Sequence, residues 1–112
     1  MICKVVMGEQ MLFVIMCNDK PSSLEMRMAV RSQHLAYLKT YEKQIKIAGP
    51  LLDNEGKSCG SLIILNVEDR AAAEGFAISD PYAKAGLFES VVIRSFKEVC
   101  SEGQMIRKYI ME

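Results

Sequence analysis

The chain carries no excess of either charge: fourteen lysines and arginines are matched by fourteen aspartates and glutamates. Such a balance removes any general electrostatic reason to bind nucleic acid or an anionic membrane. No apolar run approaches the roughly 20 residues of a membrane span. Glu9 and Gln10 interrupt the apolar start and no small-residue cleavage site follows, so no secretory leader is expected. The four cysteines, Cys3, Cys17, Cys59 and Cys100, form no CxxC pair, and one histidine cannot complete a usual zinc set. Reduced thiols in a cytoplasmic protein, and no metal, are therefore predicted. Phosphate loop, Rossmann glycine pattern and Ser-His-Asp motif are all missing, so no cofactor is expected. There is no repeat, low-complexity tract or linker.

What is present is a chain of 112 residues, half of them hydrophobic, enough for one packed domain. Met11–Cys17 is short and continuously apolar, as in a buried strand. Asn18-Asp19-Lys20-Pro21 is turn chemistry. Ser22-Ser23-Leu24-Glu25 has the capping-box pattern, so a helix should open there and run to about Glu42. A second strand starts at Ile45, bent or bulged by Gly49-Pro50 before Leu51-Leu52. A third spans Cys59 to Val67. Asp69 caps a short helix, Arg70 to Ile78, and Asp80-Pro81 starts another that Gly86 stops. A fourth strand runs from Phe88 to Phe96.

This order is βαββαβ, the ferredoxin-like α+β arrangement: a four-stranded antiparallel sheet with helices on one face. The opposite face would be bare, yet the first and third strands are apolar on both faces. A bare apolar face is poorly tolerated by a monomer, so a homodimer through sheet faces is predicted. The alternative is cover from within one chain, by an amphipathic element of Met105, Ile106, Tyr109 and Ile110. Residues 1–10 read as an extension, 11–98 as the domain and 99–112 as a tail.

The candidate chemistry lies on the first helix. At about 100° per residue, Leu24, Met28, Leu35 and Leu38 form an apolar stripe, the face expected to meet the core. Arg27, Arg31 and His34 run along its margin, where a side chain can touch both core and cavity. Imidazole can take and give a proton near neutrality, so His34 is the first candidate for proton chemistry. Asp80 is the second. A carboxylate at a helix N-terminus stays ionised, and beside an imidazole it would fix the tautomer and stabilise the imidazolium. It could equally be an ordinary N-cap, and spacing does not say whether it reaches His34. Arg27 and Arg31 could hold an anion, and Tyr82 sits next to the Asp-Pro step.

Four segments together resemble the YCII-related proteins: Arg31-Ser32-Gln33-His34-Leu35-Ala36-Tyr37-Leu38, Ala48-Gly49-Pro50-Leu51-Leu52, Gly60-Ser61-Leu62-Ile63-Ile64, and Asp80-Pro81-Tyr82-Ala83-Lys84-Ala85-Gly86-Leu87. The resemblance covers about residues 11–98. It implies a dimeric α+β barrel with an active-site pair formed by the helix histidine and the Asp-Pro-Tyr aspartate, here His34 and Asp80. It also implies kinship with a dehydrochlorinase acting on a chlorinated hydroxyquinol and, more widely, with muconolactone isomerases and cofactor-free monooxygenases.

The resulting expectation is a cofactor-independent lyase or isomerase. His34 and Asp80 would be catalytic, and Arg27, Arg31 and Tyr82 would bind a small anionic or phenolic substrate. The competing expectations are a non-catalytic small-molecule-binding dimeric module and a purely structural dimer domain.

Overall fold

The computed structural model describes residues 11–107. The chain runs β1 (Leu12–Asp19), α1 (Leu24–Thr40), β2 (Ile45–Leu52), β3 (Ser58–Asn66), α2 (Arg70–Ser79), α3 (Pro81–Lys84) and β4 (Phe88–Phe96). A two-stranded hairpin, β5 (Cys100–Ser101) and β6 (Gln104–Met105), follows. The four long strands form one antiparallel sheet in the order β2-β3-β1-β4. The helices pack on one face, so this is the ferredoxin-like α+β fold. The reading of residues 1–10 as an extension, and of Tyr109 and Ile110 as part of a cover, lies outside the described residues. Among the described residues no helix is long and apolar enough to cross a membrane.

Alternation along β1 and β3 sorts side chains between the faces. Ile15, Cys17, Ile63 and Leu65 point to the helices and bury with Phe76 and Ala77 of α2. Each large apolar side chain buried this way contributes about 1.5–3 kcal/mol. Tyr37, Tyr41 and Phe76 close the layer as a ring cluster with centroids 4.8–5.2 Å apart. Gly60 is dictated by packing: a Cβ there would run into the carbonyl oxygen of Cys17 on the neighbouring strand. At the end of α3, Gly86 takes φ +78°, the left-handed conformation that stops a helix.

Three local expectations are corrected. The capping box does not form. Ser22 adopts φ +57°, Ser23 takes the N-cap position, and the Ser23 hydroxyl donates back to the Pro21 carbonyl at 3.3 Å. The sharp turn out of β1 swings Ser22 away from the helix end. Gly49-Pro50 is not the site of a bulge in β2; both residues pair regularly with Leu62 and Ser61, and the register shifts lie at Ile45/Ile47 and Leu51/Leu52. Proline is tolerated there because β2 is an edge strand.

The apolar stripe of α1 is not its buried face. Its buried residues are Arg27 and His34, whereas Leu24, Met28 and Leu35 of the predicted stripe are 39%, 60% and 43% exposed. The helix is rotated toward its polar margin because each buried polar group there has a partner.

Candidate functional site

His34 is on the inward side of α1 and Asp80 is the residue between α2 and α3. Asp80 caps α3, its Oδ1 accepting the Tyr82 backbone N–H at 2.9 Å. The same oxygen lies 2.9 Å from His34 Nδ1, across 46 residues of sequence. Both side chains are buried. An acceptor-only carboxylate at Nδ1 requires the proton on that nitrogen, which leaves Nε2 as the nitrogen available to a ligand. Pro81 follows at the first helical position and fixes the backbone that carries the carboxylate.

Tyr82 joins the group. Its ring stacks on the His34 imidazole with centroids 4.1 Å apart and planes 21° apart. The Arg27 guanidinium carbon sits 4.4 Å over the same ring. The phenol ring is therefore in contact with both Arg27 and His34. Burial pushes the Tyr82 hydroxyl up in pKa, against the opposing pull of Arg27 and Arg31.

Arg27 is held from below by Asp19. Its Nε donates to Oδ2 at 2.7 Å and Nη2 donates to Oδ1 at 3.0 Å, a bidentate pair with both side chains buried. Nη2 also donates to Ser61 Oγ at 2.9 Å. Burial alone would weaken the charge on Arg27, but the bond and charge of Asp19 more than restore it. Cys17 lies beneath this cluster. Burial first, then the nearby Asp80 charge, pushes its thiol up to about 12.

These residues line a cavity of about 270 Å³ between α1 and the β2–β3 edge. Arg27, His34, Ser61 and Tyr82 form its polar wall, Arg31 and Ser58 add polar groups, and Met28, Leu35, Leu38 and Pro50 form the apolar one. Met28 and Leu35, exposed residues of the predicted stripe, thus border a hollow, while Leu38 lines it and also packs against the core. Arg31 is exposed and, among the described residues, makes no ion pair. Asp80 sits behind His34 and does not itself border the cavity. A larger hollow of about 430 Å³ beside the β5–β6 hairpin carries no histidine. Among the described residues, no three His, Cys, Asp or Glu side chains are grouped as metal ligands would be.

All five site residues singled out in the sequence, Arg27, Arg31, His34, Asp80 and Tyr82, are in or against this one cluster. Two participants were not: Asp19, which reads as turn chemistry, and Ser61, which reads as a backbone device beside Gly60. Polar residues at the inward positions of otherwise apolar strands were the available signal.

The match to known proteins is broad. The YCII-related domain model matches residues 11–97. An uncharacterized protein of Haemophilus influenzae is 41% identical over 97 residues, covering 80% of this chain and 99% of its own. Protein YciI of Escherichia coli is 39% identical over 97 residues, with the same coverage. Among solved structures, the 5-chloro-2-hydroxyhydroquinone dehydrochlorinase TftG of Burkholderia phenoliruptrix, in complex with 2,5-dihydroxybenzoquinone, superposes with a TM-score of 0.74 at 33% identity. That match covers 79% of this chain and 95% of the other. With the family model matching from the first strand to the end of the fourth, the chain belongs to the YCII-related proteins.

Proposed function

We propose that this chain is a cofactor-independent enzyme performing general acid–base chemistry, an elimination or an isomerisation, on a small anionic or phenolic molecule. The observation that carries the reading is the 2.9 Å contact between His34 Nδ1 and Asp80 Oδ1 at the wall of the cavity. His34 Nε2 takes a proton from the substrate, and Asp80 stabilises the imidazolium that forms. In an elimination of hydrogen chloride from a chlorinated hydroquinol, a proton taken from one hydroxyl is returned to the chlorine-bearing carbon to give the keto tautomer. Removal of a second hydroxyl proton then sends its electron pair through the ring, so that the chlorine departs as chloride and a quinone remains. In an isomerisation the imidazole returns the proton to another atom of the same molecule. Arg31 holds the negative charge of the substrate at the rim. Arg27 adds positive potential, although its Nε and Nη2 are already engaged, and Tyr82 supplies a flat wall.

The likeness to a dehydrochlorinase solved with a dihydroxybenzoquinone supports both the reaction class and the substrate class. A second copy of the chain is proposed to cover the sheet face opposite the helices, where Ile47, Met16, Val92 and Phe96 are 58%, 41%, 47% and 40% exposed.

The test is chloride release from 5-chloro-2-hydroxyhydroquinone, with binding of 2,5-dihydroxybenzoquinone measured in parallel. Turnover that disappears in His34→Asn supports the reading. Binding without turnover by the wild-type chain would instead make it a binding module. Neither binding nor turnover would overturn the substrate class.

A further inference from the structure

We propose that the Ser61 hydroxyl donates a hydrogen bond to the oxyanion of the bound ligand, and that Arg27 sets its direction. This rests on the reading of the cavity as a site for an anionic or phenolic molecule. Ser61 is on the helix-facing side of β3, is 3% exposed, and borders the cavity. A hydroxyl has one proton and two lone pairs, whereas a guanidinium only donates. Arg27 Nη2, at 2.9 Å, therefore occupies a lone pair and leaves the proton for something else. Among the described residues no acceptor takes that proton. The cavity is where an acceptor can stand.

The surroundings make this donor strong and fixed. A hydroxyl bonded to a cation gives up its own proton more readily, because neighbouring hydrogen bonds polarise one another. Arg27 cannot turn to serve the ligand instead, since Asp19 grips Nε and Nη2 and Tyr82 covers the guanidinium face. When His34 removes a proton from the ligand, negative charge is left on a ligand oxygen. A preorganised donor on a buried side chain is the arrangement that stabilises such charge. The serine acts on the oxyanion, the histidine on the proton.

The experiment is calorimetric titration of the full chain with 2,5-dihydroxybenzoquinone. Wild type, Ser61→Ala, Ser61→Cys, His34→Asn and Arg31→Ala are compared, with melting temperature and the ligand-free His34 ring resonances as controls for the fold. A lost hydrogen bond to a charged group predicts affinity about 10- to 100-fold weaker in Ser61→Ala. Ser61→Cys, close in shape with a weak donor, keeps Arg27 packed, so a loss of the same order in that variant at an unchanged melting temperature assigns the effect to the hydroxyl rather than to a loosened fold. Unchanged affinity in both serine variants, with weaker binding in His34→Asn or Arg31→Ala, overturns the role of Ser61 and leaves the site reading standing. Unchanged affinity in all four variants, or no binding by wild type, overturns both.

Discussion

The His34 imidazole lies flat against the Tyr82 phenol, with ring centroids 4.1 Å apart. Two residues before that tyrosine, Asp80 takes the edge of the same imidazole at Nδ1. One short stretch of chain therefore holds the ring by face and by edge. The grip fixes both the plane of the imidazole and the nitrogen it presents. A proton-transfer group needs both to be set before a ligand arrives.

Asp80→Asn separates the charge of this residue from its capping role. Asparagine caps a helix about as well as aspartate, so α3 keeps its start. The imidazolium loses its counter-charge, and the amide can reverse the ring tautomer. Turnover of 5-chloro-2-hydroxyhydroquinone is expected to fall about 10²- to 10⁴-fold, with the melting temperature little changed. Ring nitrogen chemical shifts will show the proton on Nδ1 in the wild type and redistributed in the variant.

Arg27→Met tests the buried ion pair. It leaves the Asp19 carboxylate, buried and bidentate in the native chain, without a partner. Removing one member of such a pair costs about 3–5 kcal/mol, measurable by urea denaturation. Adding Asp19→Asn to Arg27→Met should recover part of that loss, because the uncompensated charge is gone. Simple additivity of the two substitutions would show that the pair does not couple.

Cys17 should be inert while the fold holds. Its thiol is pushed up to about 12, chiefly by burial, whereas Cys59 and Cys100 are exposed. Iodoacetamide at mildly alkaline pH should label Cys59 and Cys100 quickly and Cys17 only after denaturation, as read by peptide mass mapping. The sign of the pH effect follows. The unfolded thiol ionises near its ordinary 9.0 and the folded one near 12, so the folded state binds the proton more tightly. The stability Cys17 contributes is complete below about pH 9 and is lost as pH rises toward 12. Cys17→Ala should flatten that alkaline decline in stability.

Charge on the open sheet face should separate the proposed dimer. Met16 and Val92 are paired neighbours on that face and both exposed. Met16→Lys combined with Val92→Lys should halve the mass found by sedimentation while leaving the far-ultraviolet dichroism unchanged. A monomeric wild-type chain would remove the reason for the apolar face.

The element order could be read from the residues because turn and capping chemistry is local. Asp69 and Asp80 cap their helices, Gly86 ends one, and Phe88–Phe96 is the strand the sequence predicts. The Ser22 capping box failed for the opposite reason: the turn out of β1 sets the backbone there, and a pattern of residue types carries no record of that turn. Hydropathy also misled on α1. An arginine and a histidine became its buried face while Leu24, Met28 and Leu35 stayed exposed, since hydropathy cannot see a compensating partner.

The sequence by itself settled the four long strands, the helices and which residue types are available for chemistry, though not the β5–β6 hairpin, because propensities and caps act over a few neighbouring residues. Only the tertiary structure decided that Asp19 and Ser61 belong to Arg27, and that Asp80 meets His34 rather than merely capping α3. Those contacts join residues 8, 34 and 46 positions apart. What brings them together is the burial of the apolar sheet face under the helices, and each polar group carried into that interior must find its counterpart there.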